Sequence, residues 1–140
     1  MATVHEIAER LKSYVANLDS NISEALTYVE SQILDLNRDQ MKNKQITSLD
    51  TPITPEYSPK WKGIKNLKNP NLFNTGKFQN GLILNTKYPE YLIKSKDWKN
   101  DKLTEKYGSE IFGIAPSNRN EAYKITSPAI GKHLNNKVFK

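Results

Sequence analysis

The side chains able to do chemistry are few and scattered. The 140-residue chain has no cysteine and only two histidines, His5 and His133, one near each end. There is thus no thiolate nucleophile, no disulfide framework and no Cys-based zinc or iron–sulfur site. A multi-histidine metal centre would need several copies of the chain. A Ser-His-Asp triad would have to borrow an imidazole from a helical, lysine-bearing context. Both histidines are expected at the surface or at helix ends. Glu6/Glu9 and Asp35/Asp39 are paired carboxylates, but at helical spacing and without an apolar pocket they fit solvated helix faces better than an acid/base pair. Six dispersed glycines never form a phosphate-binding turn between strand and helix. The expectation is a non-enzymatic protein with no catalytic residue, metal or cofactor.

Charge is the other chemical resource, and it is unevenly divided. Residues 1–50 hold five Lys/Arg against eight Asp/Glu, whereas residues 51–140 hold sixteen against seven, giving −3 and +9 within the total of +6. Lys60, Lys62, Lys65, Lys68, Lys77 and Lys87 fall in the acid-free interval between Glu56 and Glu90. Such a field attracts polyanions, either nucleic acid or an acidic protein surface. Lys60-Trp61-Lys62 and Lys96-Asp97-Trp98-Lys99 each set an indole among lysines, a pattern that allows base stacking. An indole anchoring an irregular segment while lysine heads snorkel explains it more simply. Lysine outnumbers arginine eighteen to three, which argues against bidentate reading of phosphates or bases.

The elements that must position these groups are legible in part. Val4, Ile7, Leu11, Tyr14/Val15 and Leu18 form an amphipathic helical stripe, with Thr3 and Glu6 in capping-box spacing. Asp19-Ser20-Asn21 breaks that helix. Ile22, Leu26, Val29, Ile33 and Leu36 then predict a second, long helix to about Met41. From Lys44 to Asn74 the periodicity vanishes. Pro52, Pro55, Pro59 and Pro70 exclude regular helix and central strand there, yet Ile46, Leu49, Ile53, Tyr57, Trp61, Ile64 and Leu67 are too many apolar anchors for a free linker. This segment is expected to be an extended arm lying on its own domain or on a neighbour.

Strand signals begin near Thr75-Gly76. Phe78, Leu82 and Leu84 alternate, Gly81 suggests a bulge or close backbone approach, and Tyr91–Ile93 supplies a returning strand after the turn at residues 85–90. Asp101–Tyr107 predicts a short helix ended by Gly108, followed by Ile111–Ile114 as a strand or buried turn. Residues 117–121 read as loop and Tyr123–Thr126 as a last strand. Ser127-Pro128 then caps a C-terminal helix bearing Ile130, Leu134 and Val138. The predicted architecture is one α+β domain over residues 1–140. It comprises two N-terminal helices (1–42, the second long), an extended arm (43–74), and a small antiparallel sheet with a C-terminal helix (75–140). The apolar fraction of 36% rises only to about 40% with glycine, below the roughly 45–50% of globular chains. No apolar run approaches the roughly 20 residues of a membrane span, and Thr3–Leu18 carries acids that a signal segment lacks. No membrane association is expected.

Three segments together resemble a known family. They are Ile33-Leu34-Asp35-Leu36-Asn37-Arg38-Asp39-Gln40-Met41, the proline-broken Thr54-Pro55-Glu56-Tyr57-Ser58, and Leu72-Phe73-Asn74-Thr75-Gly76-Lys77-Phe78, with Leu103–Gly108 and Ile111–Ile114 beyond. The layout over residues 30–140 resembles the tail-completion and head–tail joining proteins of tailed bacteriophages, in the versions found in Bacteroides-type phages. Leu72, Thr75 and Gly76 match that family's entry into a sheet, and Tyr107-Gly108 its later element. Ile111–Pro116 stands where the family often carries a Pro–Ala–Arg–Pro stretch, which this chain lacks.

The resemblance implies a non-enzymatic structural subunit, forming a homo-oligomeric ring in the head–tail connector, neck or tail terminator of the virion after assembly in the host cytoplasm. Its partners would be portal, connector or tail-tube proteins, and its channel would pass DNA. The arm would then lie across a neighbour through Tyr57, Trp61, Ile64 and Leu67. Lys60, Lys62, Lys65, Lys68, Lys77 and Lys87 would face DNA or an acidic ring. A heterologous ring contact closes by rotation and leaves the oligomeric state of the isolated chain open. The alternative is a small basic nucleic-acid-binding protein using Trp61 or Trp98 for stacking.

Overall fold

A computed structural model describes residues 2–86 and 91–140. The first helix, α1 (Val4–Ala16), opens with the expected capping box. Thr3 Oγ1 accepts from the Glu6 amide at 3.1 Å, and Glu6 Oε2 accepts from the Thr3 amide at 2.8 Å. The long second helix is carried by α2 (Leu18–Thr27) and α3 (Glu30–Asp39), interrupted at Tyr28 and Val29. Hydroxyls contribute to the interruption: Ser23 and Thr27 each donate to a carbonyl four residues back, a habit that bends helices. A π turn over Gln40–Lys44 then delivers Gln40 and Met41 into the interior, and Gln45 closes it in the left-handed conformation.

The core joins Ile33, Leu34 and Met41 to Ile53, Leu72, Phe78, Leu82, Ile93 and Ile111. Ile53 and Leu72 belong to the proline-rich stretch, so that stretch is anchored at both ends in its own domain. Contrary to the sequence expectation, it also contains a helix, α4 (Pro59–Lys65). Ser58 caps it by accepting from the Trp61 amide, Pro59 occupies the first turn, and Asn66 stops it in the left-handed region. The prolines sit at the helix start and outside it, where they do no harm.

The sheet is a two-stranded antiparallel hairpin, β1 (Leu82–Leu84) with β2 (Ile93–Ser95), in the register Leu82↔Ser95, Ile83↔Lys94 and Leu84↔Ile93. It is shorter than expected. Phe78 lies in a single helical turn, α5 (Lys77–Asn80), so Leu72, Thr75 and Gly76 lead into a turn before the strand rather than directly into the sheet. Gly81 makes the close approach its sequence position suggested: a Cβ there would lie 2.9 Å from Ser95 Oγ, which is itself committed to the Phe78 carbonyl at 2.7 Å. The connection at Lys87–Glu90, with most of the predicted turn, lies outside the described residues.

Helix α6 (Asn100–Tyr107) ends at Gly108 as anticipated. The C-terminal quarter differs. Residues 116–118 form a 3-10 turn, and one helix, α7 (Arg119–Val138), runs through the expected loop and strand and straight past Ser127-Pro128. An interior proline costs about 3 kcal/mol. Here its ring faces solvent, while α7 packs along α1, α2 and α3. Tertiary burial outweighs the local break. The resulting α+β architecture, with its small antiparallel sheet and C-terminal helix, is the expected one.

His133 is the clearest misreading. It is not at the surface but 6% exposed between helices. Its Nδ1 lies 2.9 Å from the Tyr14 hydroxyl, and its Nε2 lies 3.2 Å from Glu24 Oε2, outside hydrogen-bond alignment. Burial pushes the Tyr14 phenol above its ordinary value, and the Glu24 carboxylate adds to that rise.

Candidate assembly surface

Residues 53–73 fold back on themselves. Asn69 Nδ2 donates to the Ile53 carbonyl at 3.1 Å, and the Tyr57 amide to the Lys68 carbonyl at 3.1 Å. Asn71 is the clasp. Its Oδ1 accepts from Tyr57 Oη, Lys65 Nζ and the Phe73 amide, while its carbonyl accepts from Gln79 Nε2 at 2.7 Å. Lys65 Nζ also donates to the Phe73 carbonyl. The arm is therefore a closed loop with α4 at its tip, rather than an extended strap.

This closure sorts the four predicted interface residues into two pairs. Tyr57 and Leu67 are half-buried, with the Tyr57 hydroxyl held by Asn71 and its side chain lining the cleft. Trp61 and Ile64 point outward at 45% and 63% exposure. Trp61 overhangs a cleft of about 290 Å³ whose floor and far wall include Phe73, Phe78, Leu103 and Tyr107.

The predicted lysine patch is likewise divided. Lys62 and Lys68 both reach Glu56, at 2.7 and 3.4 Å. The hydrogen bond from Lys62, reinforced by both ammonium charges, holds the Glu56 carboxyl below its usual range. Lys65 is turned inward, with its ammonium 5.3 Å from the Tyr57 ring centre. Lys60 and Lys77 are exposed, and Lys87 lies outside the described residues. Half of the six cations thus serve the loop's own architecture.

Sequence reasoning missed a second apolar surface. The stripe of α1 is only partly covered: Tyr14 and Arg10 reach α7, Arg10 by donating to the Val138 and Lys140 carbonyls. Val4, Leu11 and Val15 on the other edge stay 43–85% exposed, as does Leu18 at the start of α2. The signal was present, because a stripe running from Val4 to Leu18 is wider than one neighbour can cover. Trp98 stands apart at 72% exposure, with Lys99 and Lys102 ammonium groups 5.7 and 5.3 Å from its ring centre.

Among the described residues, no group of three or more His, Asp or Glu side chains could hold a metal ion, and no helix is long and apolar enough to cross a membrane. The chain matches no protein-family model, no curated protein and no solved structure.

Proposed function

We propose that this chain is a non-enzymatic structural subunit of a phage particle that forms a ring in the head–tail connector or tail terminator. The observation that carries the reading is the outward display of Trp61 and Ile64 on a loop whose two ends are fixed in the core by Ile53 and Leu72. Folding alone leaves this aromatic–aliphatic pair wet, on a loop already held in shape by its own chain. Aromatic anchors on preorganised supports are what dominate protein–protein interfaces. Assembly with further subunits gives these side chains their burial. The layout of residues 30–140, which resembles that of tail-completion and head–tail joining proteins, is the ground for assigning it to such a particle.

Electron microscopy of the native particle tests this directly. The expected result is a ring of this chain between portal and tail, or capping the tail tube. Its absence from purified virions would overturn the proposal.

Trp98 favours a second reading, a small basic nucleic-acid-binding protein, because an exposed indole flanked by lysines offers a stacking platform in a positive field. A salt titration of the isolated chain with DNA separates the two. Micromolar affinity in physiological salt supports DNA binding, whereas ring formation without DNA supports the structural role.

A further inference from the structure

The cleft beneath Trp61 has the lining of a ligand site, and we propose that it binds a small anion carrying one flat ring, of the class of a nucleoside monophosphate. The inference goes beyond the structural-subunit reading and is independent of it, since the site lies within a single copy of the chain. Five aromatic side chains converge there: Tyr57 and Phe73 from the loop, Trp61 from α4, Phe78 from α5 and Tyr107 from α6. Phe78 and the adjoining Leu72 belong to the buried core, so the floor is in place before any ligand arrives. Aromatic faces favour stacking on another flat π system. The volume of about 290 Å³ stands at the lower edge of small-molecule sites. It suits one ring and its attached group, whereas a folded partner needs about 800 Å² of surface on each side.

Charge within the cleft itself selects the sign of the ligand. Its lining carries Lys65, Lys99 and Lys106 against a single carboxylate, Glu56, which Lys62 and Lys68 already hold. Lys65 is committed to the Asn71 side chain and the Phe73 carbonyl. Lys99 and Lys106 form no ion pair among the described residues. Their ammonium groups lie beside rings instead, 5.7 Å from the centre of Trp98 and 5.2 Å from that of Tyr107. Such contacts are weaker than charge-assisted hydrogen bonds to an anion. Lys99 stands just before α6 and Lys106 in its last turn, so the wall formed by Leu103 and Tyr107 has an uncommitted cation toward each end. Two such cations suit a phosphate, with its higher charge and three acceptor oxygens, better than a carboxylate.

The chain has two tryptophans, so Trp98→Phe leaves Trp61 as the sole indole and makes its fluorescence a reporter of the cleft. Deoxyadenosine monophosphate, deoxyadenosine and inorganic phosphate are titrated against this full-length variant. The monophosphate is expected to give a saturable change and to bind at least about tenfold tighter than either fragment, since one lacks the charge and the other the ring. Adding Lys99→Gln and Lys106→Gln should weaken it about tenfold. Lys60→Gln with Lys77→Gln removes the same charge from exposed positions outside the cleft and should change affinity by less than about twofold. Circular dichroism checks that each variant keeps its helices. No saturable change by about 1 mM nucleotide would overturn the site. Inorganic phosphate binding as tightly as the nucleotide would remove the role of the ring, and equal losses in the two lysine pairs would reduce the effect to diffuse charge; either result overturns the proposal. A single-stranded oligodeoxyadenylate with a terminal phosphate identifies the source. Binding more than about tenfold tighter than the mononucleotide, and weakened by the Lys99 and Lys106 substitutions, assigns the cleft to the end of a strand. Binding no tighter assigns it to the free nucleotide, and both results uphold the site.

Discussion

Gln40 stands in for a β-strand beside Gly113. Its Nε2 donates to the Gly113 carbonyl at 2.8 Å, and its Oε1 accepts from the Ala115 amide at 2.8 Å and from Asn118 Nδ2 at 3.0 Å. One helical turn earlier, Asn37 repeats the device: its Nδ2 donates to the Ile111 carbonyl and its Oδ1 accepts from the Gly113 amide. Both amides are fully buried. The segment Ile111–Ala115 is thus paired on one edge by side chains from α3 and the π turn, which is why it needs no strand partner. Gly113 fits this edge because its φ of +114° disfavours other residues, and a Cβ would meet that of Ser48 at 3.1 Å.

Replacing Gln40 with Leu should therefore be severe. It strands a buried carbonyl, a backbone amide and the Asn118 amide group, and an expected loss of about 2–4 kcal/mol follows from unmet buried polar groups. Gln40→Glu should rescue little, since an ionised carboxylate cannot donate to the Gly113 carbonyl. Urea unfolding followed by circular dichroism measures both. A midpoint unchanged from the parent would show that the amide pairing is dispensable.

Tip and base of the loop should respond oppositely. Trp61→Ser combined with Ile64→Ser removes exposed surface, so stability should shift by no more than about 0.5 kcal/mol per site while assembly is lost. Ile53→Ala, fully buried at the base, should cost about 2–5 kcal/mol. Thermal melts paired with sedimentation of the assembled form distinguish them. Unfolding of the tip variant would place Trp61 and Ile64 in the intrachain core instead.

Alkaline stability should report the Tyr14–His133 contact. The folded phenol titrates above its ordinary 10.0, so the folded state holds its proton more tightly than the unfolded chain. The associated stability is fully present below the unfolded value and is lost as pH rises through the folded one. Urea midpoints between about pH 8 and about pH 11 should fall more steeply for the parent than for Tyr14→Phe. The variant also leaves His133 Nδ1 without its partner, at a neutral-pH cost of about 1–3 kcal/mol.

Glu56→Gln should loosen the loop without unfolding the domain. The carboxylate, just ahead of α4, ties Lys62 on that helix and Lys68 beyond it, and its contribution is present above the ordinary carboxylate value and lost as pH falls through the lowered folded one. Trypsin at neutral pH should cut the variant faster within residues 60–68 than the parent, with the thermal midpoint held. Equal cleavage rates would show that other bonds at the loop's neck suffice.

Where local signals were self-consistent, the chain spoke plainly. The Thr3–Glu6 box and the stop at Gly108 both depend on neighbours a few residues away, and the tight approach at Gly81 on its hairpin partner Ser95. The instructive errors involve one signature used twice. Ser58-Pro59 and Ser127-Pro128 share the same capping chemistry, yet only the first starts a helix. At Ser127 the surrounding helix is held by distant packing on α1, α2 and α3, which no window of sequence contains. Asn66, a left-handed stop at the right distance from Ser58, was the local cue that should have revealed α4. His133 was misplaced for the same nonlocal reason, its partner Tyr14 lying 119 residues earlier. Of the four residues proposed for the interface, Trp61 and Ile64 are the exposed ones. That Tyr57 turns inward depends on Asn71, fourteen residues on, which no local window shows.

That clasp has a kinetic corollary. Since Asn71, Asn69 and Glu56 settle the loop's shape within a single chain, an incoming molecule encounters a finished grip. In the proposed subunit role, capture would then proceed as rigid-body docking, with its rate set by collision and orientation instead of by waiting for a strand to fold.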